Sequence, residues 1–121
     1  MNKPIITIDD FHKLDIKIGQ ILSAEKIEGS DKLLKLSVDM GEDKPRQIVS
    51  GISVYFPDPE KLVGKKCAFA ANLEPRVIRG FESQGMILAV SGDASSSAEG
   101  DSTFFSLLET EKNVFPGASV K

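Results

Sequence analysis

The sequence predicts an all-β fold: a five-stranded Greek-key barrel with a short helix between its third and fourth strands and extra segments at both ends. Three observations point there. Short runs of alternating apolar and polar residues recur along the chain. Glycine- and proline-bearing turns separate them. The 121 residues, 40% hydrophobic and 27% charged, match one domain of ordinary composition and leave little room for a second.

Residues 1–9 read as an N-terminal extension and 10–121 as the domain. Ile8-Asp9-Asp10-Phe11 opens on an acidic helix cap followed by a short amphipathic turn. Asp15-Ile16-Lys17-Ile18-Gly19-Gln20-Ile21 alternates polar and apolar residues, a strand with one buried face that runs on through Leu22, Ala24 and Ile27. Gly19 inside it reads as the bend or bulge of a barrel corner. Residues 34–40 alternate cleanly and form the second strand; 46–51 form the third. Asp58 as cap, Pro59 at the first helical position and Gly64 as stop bound one or two turns of helix. Residues 66–71 make the fourth strand, 72–85 a polar connection and 86–90 a buried fifth strand. Residues 91–102 read as a small polar loop, 104–108 return to extended structure, and 116–120 turn into a short last strand. This order matches a barrel of the OB type.

The lone Cys67 makes no internal disulfide, which favours a reducing, cytoplasmic setting. No stretch approaches the roughly 20 apolar residues of a membrane span, and the first residues lack a secretory signal's apolar core. A catalytic constellation is missing too. His12 has no Cys or His at ligand spacing and reads better as a solvent-facing helix residue. Cys67 on an apolar strand reads as core rather than nucleophile. Asp9 and Asp10 serve as caps better than as a metal pair. No phosphate-binding glycine loop or nucleophile elbow occurs. Neither a metal, a cofactor nor an enzymatic activity is expected.

Net charge is -3, yet residues 32–79 hold nine Lys/Arg against six Asp/Glu. Phosphate binding follows the local field rather than the total charge. Lys35 and Ser37 share one face of the second strand, opposite Leu34, Leu36 and Val38. Arg46 begins the third strand and Ser50 ends it, and Arg76 and Arg79 lie in the connection before the fifth strand. In an OB barrel the face of strands two and three, with its neighbouring loops, is the usual oligonucleotide cleft. A solvated strand face explains the charge pattern equally well, and charge alone does not decide.

The residues themselves go further. DIKIGQI at 15–21, SDKLLKLSVD at 30–39, RQIVSGI at 46–52, LVGK at 62–65, ANLEPRVIRG at 71–80 and ESQGMILA at 82–89 follow one another in order. Together they resemble the tRNA-binding domain family, which includes the C-terminal appendix of methionyl-tRNA synthetase and free-standing bacterial tRNA-binding proteins. The match covers about residues 10–121.

The resemblance implies an OB fold that binds tRNA by shape and backbone, without chemistry. It implies contacts from Lys32, Lys35, Arg46, Ser50, Asn72, Arg76, Arg79, Ser83 and Met86, with Met86 equally readable as core. It also implies a homodimer joined through the Phe11 turn and the apolar stretch 104–108, and an aminoacyl-tRNA synthetase of the methionyl type as partner or parent chain. Glu74 departs from the family pattern, standing before Pro75 where a neutral or basic residue is common, and trims the charge near Arg76. Tyr55 and Phe81 are the aromatics nearest the cleft in sequence, and both read better as core or interface than as stacking platforms. The alternative on the same fold is a CsaA-like protein-interaction or chaperone module.

Overall fold

The computed structural model describes residues 2–93 and 103–121. A short helix α1 (Ile8–Phe11) leads into strands β1 (Ile16–Lys26), β2 (Leu34–Asp39), β3 (Arg46–Ser50) and β4 (Lys66–Ala70). A hairpin β5 (Arg76–Ile78) and β6 (Phe81–Ser83) follows, then β7 (Met86–Ile87), β8 (Ala89–Asp93) and β9 (Thr103–Leu107). The central antiparallel sheet has five strands in the order β3-β2-β1-β4-β7. Its ends curl toward each other, with β7 and β6 meeting β3, so the predicted barrel nearly closes. Among the described residues no helix is long and apolar enough to cross a membrane.

Alternation places the core. Leu34, Leu36 and Val38 of β2 are buried while Lys35, Ser37 and Asp39 between them are half-buried, the signature of a strand with one face inward. Ile21, Ile48, Leu62 and Phe69 close the interior. Cys67 lies there too; burial is the main cause pushing its thiol up to about 11, so it stays protonated and unreactive at neutral pH. β4 is buried on both faces, and the C-terminal segment pairs with its edge beyond β7: Ala68 N–H donates to Leu108 O at 2.9 Å and Thr110 N–H to Lys66 O at 2.9 Å. The end of the chain returns to the start of β1, where Ile18 N–H donates to Ala118 O at 2.8 Å. Edges that would invite pairing with other chains are thus used internally.

Several local expectations change. The bulge in β1 lies between Ile21 and Ser23, not at Gly19. A Cβ on Gly19 would sit 2.5 Å from Met40 Sδ and 2.6 Å from a Val38 methyl, so glycine there permits close packing rather than a bend. The cap of α1 is Thr7, whose Oγ1 accepts from Asp10 N–H at 3.1 Å; Asp9 and Asp10 occupy the first turn. The predicted helix is a 3₁₀ turn at Pro59–Leu62, with Asp58 Oδ1 accepting from Glu60 N–H. The fifth barrel strand shrinks to two residues, and Ala89–Asp93 pairs with Thr103–Leu107 in a separate ladder. The predicted loop at 91–102 begins later, since residues 91–93 belong to β8, and its remainder lies outside the described residues. The last predicted strand is a single ladder pair, Lys17 with Ser119.

Candidate nucleic-acid interface

The outer face of β1–β2–β3 is built in cross-strand rows. Ser23, Ser37 and Gln47 form one row; Glu25, Lys35 and Val49 form the next. Facing positions in adjacent strands project to the same side, so the register alone assembles a polar surface. A shallow groove of about 510 Å³ runs across it, lined by Ser23, Glu25, Lys35, Ser37, Lys44 and Arg46 among others. The Lys35–Glu25 ion pair at 3.5 Å joins a half-buried lysine to an exposed glutamate, an arrangement worth about 1 kcal/mol at most.

β3 would be a bare edge without the β5–β6 hairpin. Side chains and one backbone bond, rather than a regular ladder, dock the hairpin there. Ser83 Oγ accepts from Val49 N–H at 3.0 Å and donates to Gly85 O at 3.0 Å. Gln84 Oε1 accepts from Gln47 N–H at 3.0 Å, and Gln84 N–H donates back to Gln47 O at 2.8 Å. Gln47 Nε2 donates to Glu82 O at 2.9 Å. Each free N–H of the edge finds an acceptor. The docked hairpin brings Phe81 beneath Lys35, whose Nζ lies 4.8 Å from the ring centroid, a cation–π contact.

The hairpin turns through two residues, Arg79 and Gly80, both with positive φ, 54° and 84°. That combination belongs to the type I′ turn, which favours Asn or Gly at both positions. Arginine at the first of them holds a left-handed backbone at a steric cost of about 1 kcal/mol. Arg76 and Arg79 are both exposed, Arg76 opposite Ser83 in the ladder.

Of the residues named from the sequence, the fold engages Arg46, Asn72 and Ser83 in bonds to the chain itself and leaves Lys35, Arg76, Arg79 and Met86 at least partly exposed. The hairpin that carries Arg76 and Arg79 docks on β3 through Ser83 and touches Lys35 through Phe81, and Met86, Arg76, Ser83 and Glu74 line a notch of about 60 Å³ beside it. Met86 is 52% exposed, a rim residue rather than core. Lys32 joins from the start of β2; its carbonyl accepts from Ser53 N–H at 3.0 Å, just beyond Ser50. Arg46 stands at the other end of β3. Its guanidinium grips the Glu42 carboxylate at 2.8 and 2.7 Å and donates to Ala71 O at 2.6 Å and Gln84 O at 3.1 Å, which commits four of its five N–H donors. The Arg46 hydrogen bond holds the Glu42 carboxyl below its ordinary range. Asn72 likewise spends both ends on the chain, accepting from Asp15 N–H at 2.8 Å and donating to Lys13 O at 2.7 Å. Tyr55 stacks on Phe105 at 4.0 Å, away from these rows.

Because the Ser83 hydroxyl is saturated and buried, Ser83→Ala leaves the Val49 N–H and Gly85 carbonyl unpaired. We expect a loss of about 1–3 kcal/mol, measured by urea unfolding. Unchanged stability with lost RNA affinity would instead make Ser83 a contact residue.

Lysines 61, 65 and 66 contribute to the basic middle third but were not among the residues drawn from the family motif. The fold turns them away from the β2–β3 face, to a separate cleft of about 620 Å³. A Lys-x₃-Lys-Lys run around a glycine was the available signal, one that composition alone does not separate from the rest.

Comparison with known proteins agrees with this fold. Residues 16–119 match the family model described as a putative tRNA binding domain. A methionine–tRNA ligase of Methanocella arvoryzae is 49% identical over 118 residues, covering 98% of this chain. The chain spans only 16% of that ligase. A solved structure described as a MetRS-related protein from Pyrococcus horikoshii aligns with TM-score 0.82 at 37% identity, over 98% of this chain and all of that one. The chaperone CsaA of Bacillus anthracis aligns with TM-score 0.78 at 25% identity, over 98% of this chain and all of that one.

Proposed function

The chain belongs to the putative tRNA binding domain family, and on that premise we propose that it binds tRNA through shape and phosphate backbone, without chemistry of its own. The observation that supports the reading is the docked hairpin: it carries the exposed Arg76 and Arg79 and sets Phe81 against Lys35 of the β1–β2–β3 face. Guanidinium groups fit phosphate oxygens with paired donors, and a cationic face poor in stacking aromatics reads backbone rather than base sequence. In this reading the domain raises the tRNA affinity of a methionyl-tRNA synthetase in the cytoplasm, as an appended domain, a subunit or a free-standing factor.

The same reading includes a homodimer. Ile5, Ile6, Ile8 and Phe11 at the N-terminus and Phe104 and Leu108 near the C-terminus are exposed apolar side chains, the kind of surface a second copy would cover. Light scattering at micromolar concentration distinguishes dimer from monomer.

The strained tip supplies the test of RNA binding. Arg79→Asn suits the turn better, so the variant is expected to be at least as stable as the parent. It should nonetheless bind total tRNA more weakly, with the slope of log affinity against log salt reduced by roughly 1. Unchanged affinity and slope would remove Arg79 from the interface; absence of tRNA binding by the parent chain would reject the function.

A further inference from the structure

The cleft holding the remaining lysines has its own construction. Gly64 ends the 3₁₀ turn at Pro59–Leu62 and is spliced onto β1: Gly64 N–H donates to Ile21 O at 2.8 Å, and Ile21 N–H to Lys65 O at 2.9 Å. On the other side the C-terminal segment is fastened to β4 through Thr110 N–H and Lys66 O at 2.9 Å. Between these walls the cleft is lined by Lys61, Lys65, Lys66 and Lys112, with Gln20 beside them and Glu109 as its one carboxylate. Glu109 pairs with Lys65 at 3.3 Å. Lys66 Nζ donates to the Lys112 carbonyl at 2.7 Å, which fixes the ammonium while leaving its charge and two donors uncompensated. Lys61 and Lys112 have no ion-pair partner among the described residues.

The balance of charge favours an anion. Four lysines face one carboxylate in this cleft. In the β1–β2–β3 groove, Lys35 and Arg46 are each paired with a glutamate, and Lys44 is the one lining cation with no ion-pair partner among the described residues. The cleft therefore carries more uncompensated positive charge than the groove, in a protein of net charge -3. It holds no aromatic side chain and no buried apolar floor, so it offers little to a nucleobase and much to phosphate. It is also within reach of the same ligand. Gln20 bounds the cleft and Glu25 the groove on one strand, a separation of about 17 Å at the rise of an extended chain.

We propose that this lysine cleft is a second phosphate-binding surface, which holds another stretch of the backbone of the RNA bound at the hairpin face. The inference rests on the tRNA-binding reading above and extends it to a bipartite footprint. Two backbone contacts on separate faces orient a folded RNA where one would only hold it, and the second contact gains from the high local concentration set by the first.

The test titrates the full chain with total tRNA at 50 and 200 mM salt, comparing the parent with K61Q/K112Q and R76A/R79A. K61Q/K112Q leaves the Lys66 bond to the Lys112 backbone carbonyl in place, and matched melting curves show that it folds. Each phosphate contact makes affinity fall about 3.5-fold over that salt range. The parent's fall should therefore shrink about tenfold in K61Q/K112Q, as in R76A/R79A. A fall and affinity identical to the parent's in K61Q/K112Q, with R76A/R79A still affected, overturns the second surface and leaves the hairpin reading intact. Weakening of K61Q/K112Q by the same factor at both salts overturns it as well, since the contact would not be ionic. A parent chain that does not bind tRNA ends both.

Discussion

Phe69→Ala is expected to lower the unfolding free energy by about 3–5 kcal/mol, the usual cost of removing a core phenyl ring. Phe69 is fully buried on β4, opposite Ile87 on one neighbour and Lys17 on the other. Its ring is the third atom group, after Met40 and Val38, that a side chain at position 19 would strike. The site cannot refill cheaply: β4 is held by paired backbone on both edges, and Val38 is β-branched and stiff. A domain of this size has about 5–15 kcal/mol to lose, so the melting temperature should fall by about 10–20 °C. Urea unfolding with an unchanged m-value checks it. A loss below about 1.5 kcal/mol would mean that Met40, the one flexible neighbour, collapses into the space.

Arg46→Met should cost about 2–3 kcal/mol, because it removes charge-assisted bonds to two backbone carbonyls and a forked grip on Glu42 while keeping the aliphatic stem. Those carbonyls belong to Ala71, at the end of β4, and Gln84, at the root of the hairpin's dock. Arg46 thus ties three parts of the barrel mouth together. Arg46→Lys should not restore stability, since one ammonium cannot reach a carboxylate fork and both carbonyls at once. Acid should reveal the same contact. A carboxyl held below its ordinary range stabilises the fold above the unfolded value, near pH 4.3, and that contribution is lost as pH falls through the folded value. Glu42→Gln should therefore flatten the acid limb of the stability profile below about pH 4.3. If Arg46→Met left stability within about 0.5 kcal/mol but weakened tRNA binding, Arg46 would be a ligand contact, as the family motif implies.

The two variants mark where sequence reasoning reached and where it stopped. Burial followed directly from alternation: Leu34, Leu36, Val38 and Ile48 carry their inward direction in their spacing, because a strand repeats every two residues. Turn chemistry was readable at Asp58, Pro59 and Gly64 for the same local reason. The family of the chain was also legible, carried by six ordered motifs rather than by charge. Sites were legible only as residue types. Arg46, Asn72 and Ser83 have side chains suited to RNA, and nothing local reveals that each is already engaged by chain 25 to 57 residues away. The hairpin at Arg76–Ser83 escaped notice because its turn uses arginine where the usual signal is asparagine or glycine.

By itself, then, the sequence determined the strand periodicity, the inward and outward faces, the turns and the family. Tertiary structure decided which cations are free and which faces they share. Lys35 meets the hairpin because β3 needed its edge covered; Arg46 was drawn into the mouth by unpaired carbonyls; Lys61, Lys65 and Lys66 were turned to another side by the splice onto β1. The physical reason is range. Side-chain direction along a strand is set by neighbours one or two residues away, whereas a charge's availability depends on partners that only folding brings within hydrogen-bond distance.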